Sequence, residues 1–258
     1  MADSGLGDAG IERILTKLNC IVARLRDLGE KAVCAIIAQR LRQTMPPTHL
    51  RRIPIREDYF NSDAVLPYGL LLGELKATLE DTHEFIHSLN TMLYQQTAQR
   101  IEDILMAATF SGMLSEFIVR QLSKHSTTLT RNLYHNGHPD LIPVNRYPGS
   151  AVQYGHEGIE VKTSRYASGW QGHNPERIWI MVFRYDNDPY KPEKDPRPLE
   201  EREPFQVVEV LAAELDKSDW SSQGRGSGSR RTPTASIIAS GTAKLRANWI
   251  YRNPDFRA

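Results

Sequence analysis

The chain has 258 residues, which is enough for one large domain or two small ones. Apolar residues make up 40% of it and charged residues 24%, so the composition excludes wholesale disorder and indicates a packed core. The net charge is +1 and therefore indicates no class of partner, although a near-neutral chain can still concentrate its Lys and Arg residues on one face.

The N-terminal residues and the cysteines bear on the compartment in which the protein is expected. Residues 1–10 are small and acidic without a hydrophobic run, so we expect no signal peptide, and no apolar stretch approaches the length of a membrane span. Cys20 and Cys34 are the only cysteines, too few for a disulfide framework or for a zinc site of their own. We therefore expect a cytoplasmic protein with reduced cysteines and no membrane partner.

The first half of the chain shows helical periodicity. Apolar residues recur at helical spacing in two stretches within residues 11–43, and Pro-containing residues 48–66 follow as a predicted loop or linker. The helical pattern resumes over residues 70–93 and again over 101–122, where Ser111-Gly112 predicts an interruption. This half is expected to form helices that pack against each other.

The second half has the pattern of strands. Residues 158–163 alternate apolar with polar side chains, as a half-buried strand does, and the apolar run 178–183 predicts a buried central strand. Residues 205–211 predict another strand, and 212–216 a short helix or turn. Residues 236–250 carry mixed helix and strand signals. The order predicts an α/β (α+β) fold, with a helical region followed by a half built around a small sheet.

One constellation in the second half is suited to chemistry. Pro139-Asp140 is followed, after nineteen residues, by Glu160-Val161-Lys162. Glu160 and Lys162 lie two apart in a predicted strand, so their side chains leave the same face while Val161 points to the core. A hairpin through the turn residues between the two motifs would bring Asp140 beside Glu160.

Two neighbouring carboxylates form an oxygen-lined site of the kind that Mg²⁺ prefers. A bound Mg²⁺ polarises a phosphate and activates water, and an adjacent lysine can stabilise the negative charge that develops in the transition state. Asp140, Glu160 and the carbonyl oxygen of Val161 are the candidate metal ligands, and Lys162 is the candidate catalytic cation.

Pro139-Asp140 with Glu160-Val161-Lys162 resembles the motif of the PD-(D/E)XK nuclease superfamily, which includes many type II restriction endonucleases. The resemblance covers roughly residues 100 to 210. It implies a restriction-endonuclease-like core, with a mixed central sheet flanked by helices and the motif on two adjacent strands. The chain would then divide into a helical region for dimerisation or DNA clamping, residues 1–95, and a nuclease core, residues 96–258.

The resemblance also implies an activity and its participants. It implies a Mg²⁺-dependent endonuclease, with Mn²⁺ as a substitute, that cuts double-stranded DNA at a specific site. It further implies a homodimer and a cognate methyltransferase acting on the same DNA site. The family often adds an acidic residue from the helix before the motif, for which Glu116 is the first candidate and Glu102 the second.

Two polar segments are predicted to contact the DNA. Residues 163–174 are rich in side chains that hydrogen bond to bases or stack on them, and 221–232 is a Gly/Ser/Arg loop suited to phosphates. The candidate DNA-binding residues are Arg165, Tyr166, Trp170, Gln171, His173, Asn174, Arg225, Arg230 and Arg231.

Other interpretations of the same residues stay open. The nuclease could serve repair, transposition or another defence system in which a partner chooses the site, or the fold could bind DNA without cutting it. An intact set of Asp140, Glu160 and Lys162 argues against the second. His135, His138 and His156 surround the motif, but they lie in a turn-rich segment without a nearby cysteine, and we expect no zinc site there.

Overall fold

The computed structural model describes residue 16 and residues 47–172, 174–222 and 235–256. The chain divides into two compact units, residues 1–47 and 48–258, and the helices and strands given below belong to the second. Several predicted features lie outside the described residues: the helices within residues 11–43, Cys20, Cys34, His173, Arg225, Arg230 and Arg231.

The described residues form a mixed α/β structure. Its α-helices are α1 Leu72–Thr97, α2 Ile101–Ile104, α3 Ala107–His125 and α4 Ala239–Ala247. Its strands are β1 Leu129–Arg131, β2 Leu141–Pro143, β3 Ile159–Ser164, β4 Gln171–Gly172, β5 Ile178–Asp186, β6 Gln206–Leu215, β7 Trp220–Ser222, β8 Ala235–Ile237 and β9 Trp249–Arg252.

Six strands form the main sheet, in the order β1-β2-β3-β5-β6-β9. The pair β3–β5 is parallel and the other pairs are antiparallel, so the sheet is mixed, as predicted. β5 lies between β3 and β6, and its residues are apolar on both faces because both faces are covered.

The two faces of the main sheet bury different partners. Met181, Phe183 and Tyr185 of β5 pack in one core with apolar residues of α1 and α3. The alternating residues Ile180 and Val182 pack on the opposite face, in a second core that contains two tryptophans and a leucine of α4. A three-stranded sheet, β4-β8-β7, supplies part of this second core.

The predicted elements agree with the structure in most places and fail at two. The strands predicted over residues 158–163 and 178–183 are confirmed, and so is the helix over 70–93. The interruption predicted at Ser111-Gly112 is wrong, because α3 continues through it and the break lies at Leu105 and Met106, whose backbones are extended.

The second error concerns residues 212–216. They were predicted as a short helix or turn, but β6 continues to Leu215 because its apolar residues pack on both faces of the sheet. The division at residues 95 and 96 stays a prediction. In the structure, α1 spans that position and shares one hydrophobic core with the main sheet.

Candidate active site

Asp140 and the Glu160-Val161-Lys162 segment lie side by side in the main sheet. Asp140 directly precedes β2, and β2 pairs with β3 in an antiparallel register that sets Leu141 opposite Ile159. The Asp140 carboxylate accepts a hydrogen bond through Oδ2 from the backbone N–H of Val161, at 2.8 Å. The turn between the motifs therefore returns the chain as predicted, and Asp140 contacts the residue that follows Glu160.

Pro139 explains why a carboxylate takes this backbone hydrogen bond. Extending the register of β2 and β3 by two residues sets Val161 opposite Pro139. Proline has no N–H, so an ordinary ladder cannot form there. The N–H and carbonyl of one strand residue point to the same side. The Val161 carbonyl therefore points to the edge where Asp140 lies, and Pro139 offers it no donor.

Glu160 and Lys162 project from one face of β3. In the parallel register they lie beside Ile180 and Val182, so they share the face that packs against the small sheet. The Lys162 Nζ lies 2.6 Å from Glu160 Oε1, which is a short charge-assisted hydrogen bond. This bond holds the lysine head group beside the two carboxylates.

His138 links Glu160 to a third carboxylate. Its Nδ1 lies 3.0 Å from Glu160 Oε2, and its Nε2 lies 3.1 Å from Glu176 Oε2. The backbone of Glu176 is fixed in turn, because its carbonyl accepts the indole N–H of Trp220 at 3.0 Å. The imidazole therefore connects β3 with the segment that leads from the small sheet into β5.

Burial and neighbouring charges shift the pKa values of Asp140 and Glu160 in opposite directions. Burial, reinforced by the negative charge of Glu160, raises the pKa of Asp140 to about 7. Burial also opposes ionisation of Glu160, but the hydrogen bond from His138 and the charge of Lys162 outweigh it and lower the pKa of Glu160 to about 2. Glu160 is thus the permanently charged member of the pair.

The same carboxylates keep His138 protonated. Burial alone would lower the pKa of its imidazole, but Glu160 and Glu176 on either side outweigh burial and raise the pKa to about 10. At neutral pH the cluster therefore contains two cations, His138 and Lys162, among three carboxyl groups.

These side chains open onto a cleft of about 970 Å³. Asp140, Glu160 and His138 line it, together with Glu176 and Asn174. Such a cleft is large enough to admit a polymer backbone to the carboxylates.

The two acidic candidates from the preceding helices differ in position. Glu116 on α3 lines the cleft, is exposed, and forms an ion pair with Arg131 at 3.7 Å. Glu102 on α2 is buried elsewhere, where it accepts a hydrogen bond from Asn90 and lies 3.5 Å from Arg100. Glu116 is therefore the candidate that can reach a ligand in the cleft.

The donor atoms around Asp140 fit a hard divalent cation. Asp140 Oδ1 accepts no hydrogen bond from the described part of the chain, and Glu160 retains a second lone pair on each oxygen. With the Val161 carbonyl they form an all-oxygen set, which Mg²⁺ prefers. Within the described ranges no group of three or more His, Cys, Asp and Glu side chains is arranged to hold a metal ion. The candidate metal ligands are two carboxylates and one main-chain oxygen.

The segment 163–174, which we call the reading segment, runs from β3 into the small sheet. Tyr166, Gln171 and Asn174 are exposed, and Asn174 lines the cleft. Arg165 is half-buried. Arg246 of α4, which the sequence analysis did not select, is also exposed and donates to the carbonyl of Ala167 at 3.1 Å.

Trp170 is the member of the predicted contact set that we withdraw. It is only 4% exposed, belongs to the second core, and donates its indole N–H to the Tyr166 carbonyl at 3.2 Å. Its side chain supports the reading segment from below and leaves almost no surface for a base.

The two predicted DNA-contacting segments include the strands that lie on either side of β8. Gly172 at the end of β4 and Ser222 at the end of β7 both pair with Ala235 of β8. β4 and β7 therefore terminate at the same end of the small sheet.

Sequence reasoning missed His138 as a partner of the motif and missed Glu176 altogether. The signal for His138 was its position two residues before Asp140. Glu176 gave no signal, because only the fold brings it to the motif. No family model and no curated protein matches this chain. Within the described residues, no helix combines the length and the apolar character that crossing a membrane requires.

Proposed function

We propose that this chain is a Mg²⁺-dependent endonuclease that hydrolyses phosphodiester bonds in double-stranded DNA, as a site-specific type II restriction enzyme with a restriction-endonuclease-like core. The observation that carries the proposal is the contact of Asp140 with the backbone of Val161, together with the contact of Lys162 with Glu160. The main-chain N–H of Val161 and the side chain of Lys162 thus contact two carboxylates that line one cleft.

Each residue has a separate task in this proposal. Asp140, Glu160 and the Val161 carbonyl would hold Mg²⁺, which supplies polarisation of the scissile phosphate when bound. Lys162 donates hydrogen bonds to a non-bridging phosphate oxygen and so stabilises the charge that grows as water adds to phosphorus and the sugar oxygen leaves. Glu160 and His138 hold the lysine and the carboxylates in position.

The choice of duplex DNA as substrate is supported by the surroundings of the cleft. The reading segment follows Lys162 directly in the chain and its Asn174 lines the cleft, so a strand held at the active site lies beside Asn174, and Gln171 is exposed in the same segment. Paired hydrogen bonds from such side chains discriminate between bases in the major groove. Arg246, beside the same segment, offers a positive charge to the phosphate backbone.

The proposed partners follow from the reaction. One chain carries one such site within its described residues, and cutting both strands of a duplex takes two sites, so we propose a homodimer. A cognate methyltransferase would protect the same DNA sequence in the host. Light scattering of the purified chain, with and without DNA, tests the dimer.

The test of this function is incubation of the purified protein with long DNA of mixed sequence and Mg²⁺. Discrete fragments support a site-specific endonuclease, and a smear supports a nuclease without site preference. Intact DNA that the protein nevertheless binds points to a partner-directed nuclease or to a binding protein and would overturn the proposal. A Lys162→Ala protein, purified in parallel, is the control for contaminating nucleases.

A further inference from the structure

Three large apolar side chains stand exposed at the rim of the active-site cleft. Leu133 is 64% exposed, Tyr134 44% and Tyr154 71%, and all three line the cleft that contains Asp140 and Glu160. Single exposed apolar residues are common on proteins. Three that converge on one functional cleft mark a binding surface. We call these three residues the apolar rim.

The backbone that presents Leu133 and Tyr134 is rigid. The buried amide of Asn132 donates to the carbonyls of Pro139 and Val152, at 3.0 and 2.8 Å, and accepts from the N–H groups of Tyr134 and Val152, at 3.1 and 3.0 Å. These four hydrogen bonds join the Asn132 side chain to the backbone of the turn, on its inner side. The backbone that carries Leu133 and Tyr134 is therefore already ordered, so little loop entropy remains to be lost when these side chains bind a ligand.

Tyr154 is fixed to the same point of the chain. The His138 N–H donates to the Gln153 carbonyl at 3.0 Å, and the Gly155 N–H donates to the His138 carbonyl at 2.7 Å. Tyr154 lies between these two bonds. The backbone on both sides of Tyr154 is thus hydrogen bonded to His138, which lies two residues before Asp140.

We infer that the apolar rim contacts the bases next to the scissile phosphate and partly unstacks them, so that the duplex is kinked at the point of cleavage. This inference rests on the proposed function. A strand whose phosphate lies at Asp140 and Glu160 must pass the rim, because both line one cleft. Every base offers an aromatic face to a tyrosine, and an inserted apolar side chain is a known way to open a base step.

The chemistry of the neighbouring side chains favours nucleic acid over an apolar partner. Asn136 and Asn174 line the cleft beside the rim, with His135, and they supply hydrogen-bonding groups. A lipid or an apolar protein surface would leave these groups without partners, whereas sugar and base edges provide donors and acceptors.

The experiment uses the Lys162→Ala protein, which is expected to bind without cutting, with Leu133→Ala, Tyr134→Ala or Tyr154→Ala added. The probe is a duplex that spans a cleavage position mapped with the wild type and carries the fluorescent base 2-aminopurine beside the cut. We expect binding of the parent to raise the fluorescence, because unstacking relieves quenching. We expect each rim substitution to weaken binding about tenfold or more and to reduce that rise.

Two controls separate the rim from general effects. Tyr134→Phe keeps the ring and should bind as its parent does, and Met106→Ala removes a side chain that is 77% exposed but does not line the cleft. Rim substitutions should leave the salt dependence of binding unchanged, because they remove no phosphate contact. Melting temperatures should stay near the parent value because the altered side chains are exposed.

The outcomes distinguish this inference from the function on which it rests. If the wild type cuts DNA and the rim variants of the Lys162→Ala protein bind DNA and raise the fluorescence as that parent does, the rim has no role in DNA opening and the inference is overturned. If the wild type neither binds nor cuts DNA, the proposed function and the inference fall together.

Discussion

Lys162 and Glu160 illustrate how one contact serves both structure and proposed chemistry. The 2.6 Å bond neutralises part of the charge on Glu160 and also holds the ammonium group beside a carboxylate that lines the cleft. Because the lysine side chain is only partly buried and belongs to neither hydrophobic core, its removal should leave the fold intact.

We therefore expect Lys162→Ala to slow DNA cleavage by at least about 100-fold, the usual effect of removing one transition-state donor. DNA binding by this variant, measured by fluorescence anisotropy, should stay within a few-fold of the wild type. Cleavage at the wild-type rate would show that Lys162 has no catalytic task.

His138 is predicted to position the catalytic groups. We expect His138→Gln and Glu176→Gln each to lower kcat for cleavage while leaving KM nearly unchanged. The reason is that Glu160 loses the contact that positions it, whereas the reading segment and the apolar rim are unaltered. His156→Gln alters an exposed histidine that does not line the cleft and is the matched control. Equal kcat values for all three variants would remove His138 from the account.

The catalytic candidates that could be predicted from the sequence are those that lie in short motifs along the chain. Asp140, Glu160 and Lys162 were found because a proline-aspartate pair and a strand alternation are visible in one dimension. Glu176 was not, since its approach to His138 depends on the packing of the small sheet. Trp170 was placed on the wrong side of its segment because an aromatic side chain serves equally well in a core and on a surface.

The junction of β2 with β3 decides the relative position of Asp140 and Glu160. Gly158 immediately precedes β3 with a φ of +144°, and an added Cβ would overlap the Leu141 carbonyl oxygen and the Pro139 ring. Its N–H also donates to the Tyr68 hydroxyl at 2.8 Å. The two strands can approach closely only because this position lacks a side chain.

Gly158→Ala is therefore expected to push β2 away from β3 and to reduce cleavage strongly, with a loss of about 1–3 kcal/mol in the free energy of unfolding. Gly112→Ala is the control, since a Cβ there meets nothing and a helical alanine stabilises by up to about 1 kcal/mol. Urea unfolding and a cleavage assay measure both effects. Wild-type cleavage by a stably folded Gly158→Ala protein would contradict this view of the junction.

At the scale of elements, long periodic segments were predictable and short ones were not. β3 and β5 carry clear patterns, and α1 does too. The strands β4, β7 and β8 have only two or three residues each and take their pairing from packing on the main sheet, so no pattern could show them. Ser111-Gly112 predicts an interruption of the helix, but the packing of α3 outweighs the small cost of a glycine.

The stability of the whole molecule is expected to depend on pH through His83. This imidazole is buried between α1 and the main sheet, where Nδ1 contacts the Ile53 carbonyl at 2.7 Å and Nε2 accepts the Val207 N–H at 2.9 Å. Burial lowers the pKa of His83 to about 4. The neutral ring satisfies both contacts, whereas a second ring proton would meet the Val207 N–H.

Because the folded pKa lies below the unfolded value of 6.5, the unfolded chain binds the proton first as the pH falls. We expect the contribution of His83 to stability to be complete above pH 6.5 and to decrease by about 3 kcal/mol between pH 6.5 and 4. The difference in unfolding free energy between the wild type and His83→Gln, measured by urea titration across this range, isolates the effect. A difference that does not vary with pH would contradict it.

The central claim is that Asp140 belongs to a site that hydrolyses DNA. The most direct measurement is the single-turnover rate of DNA cleavage by the wild type with Mg²⁺, by the wild type with excess EDTA, and by Asp140→Asn with Mg²⁺. Asparagine keeps the shape and an oxygen for the Val161 N–H but removes the charge. The account predicts cleavage in the first case only, with Asp140→Asn folded and slower by about 100-fold or more. Cleavage by Asp140→Asn at the wild-type rate, or no cleavage in any of the three reactions, would contradict it.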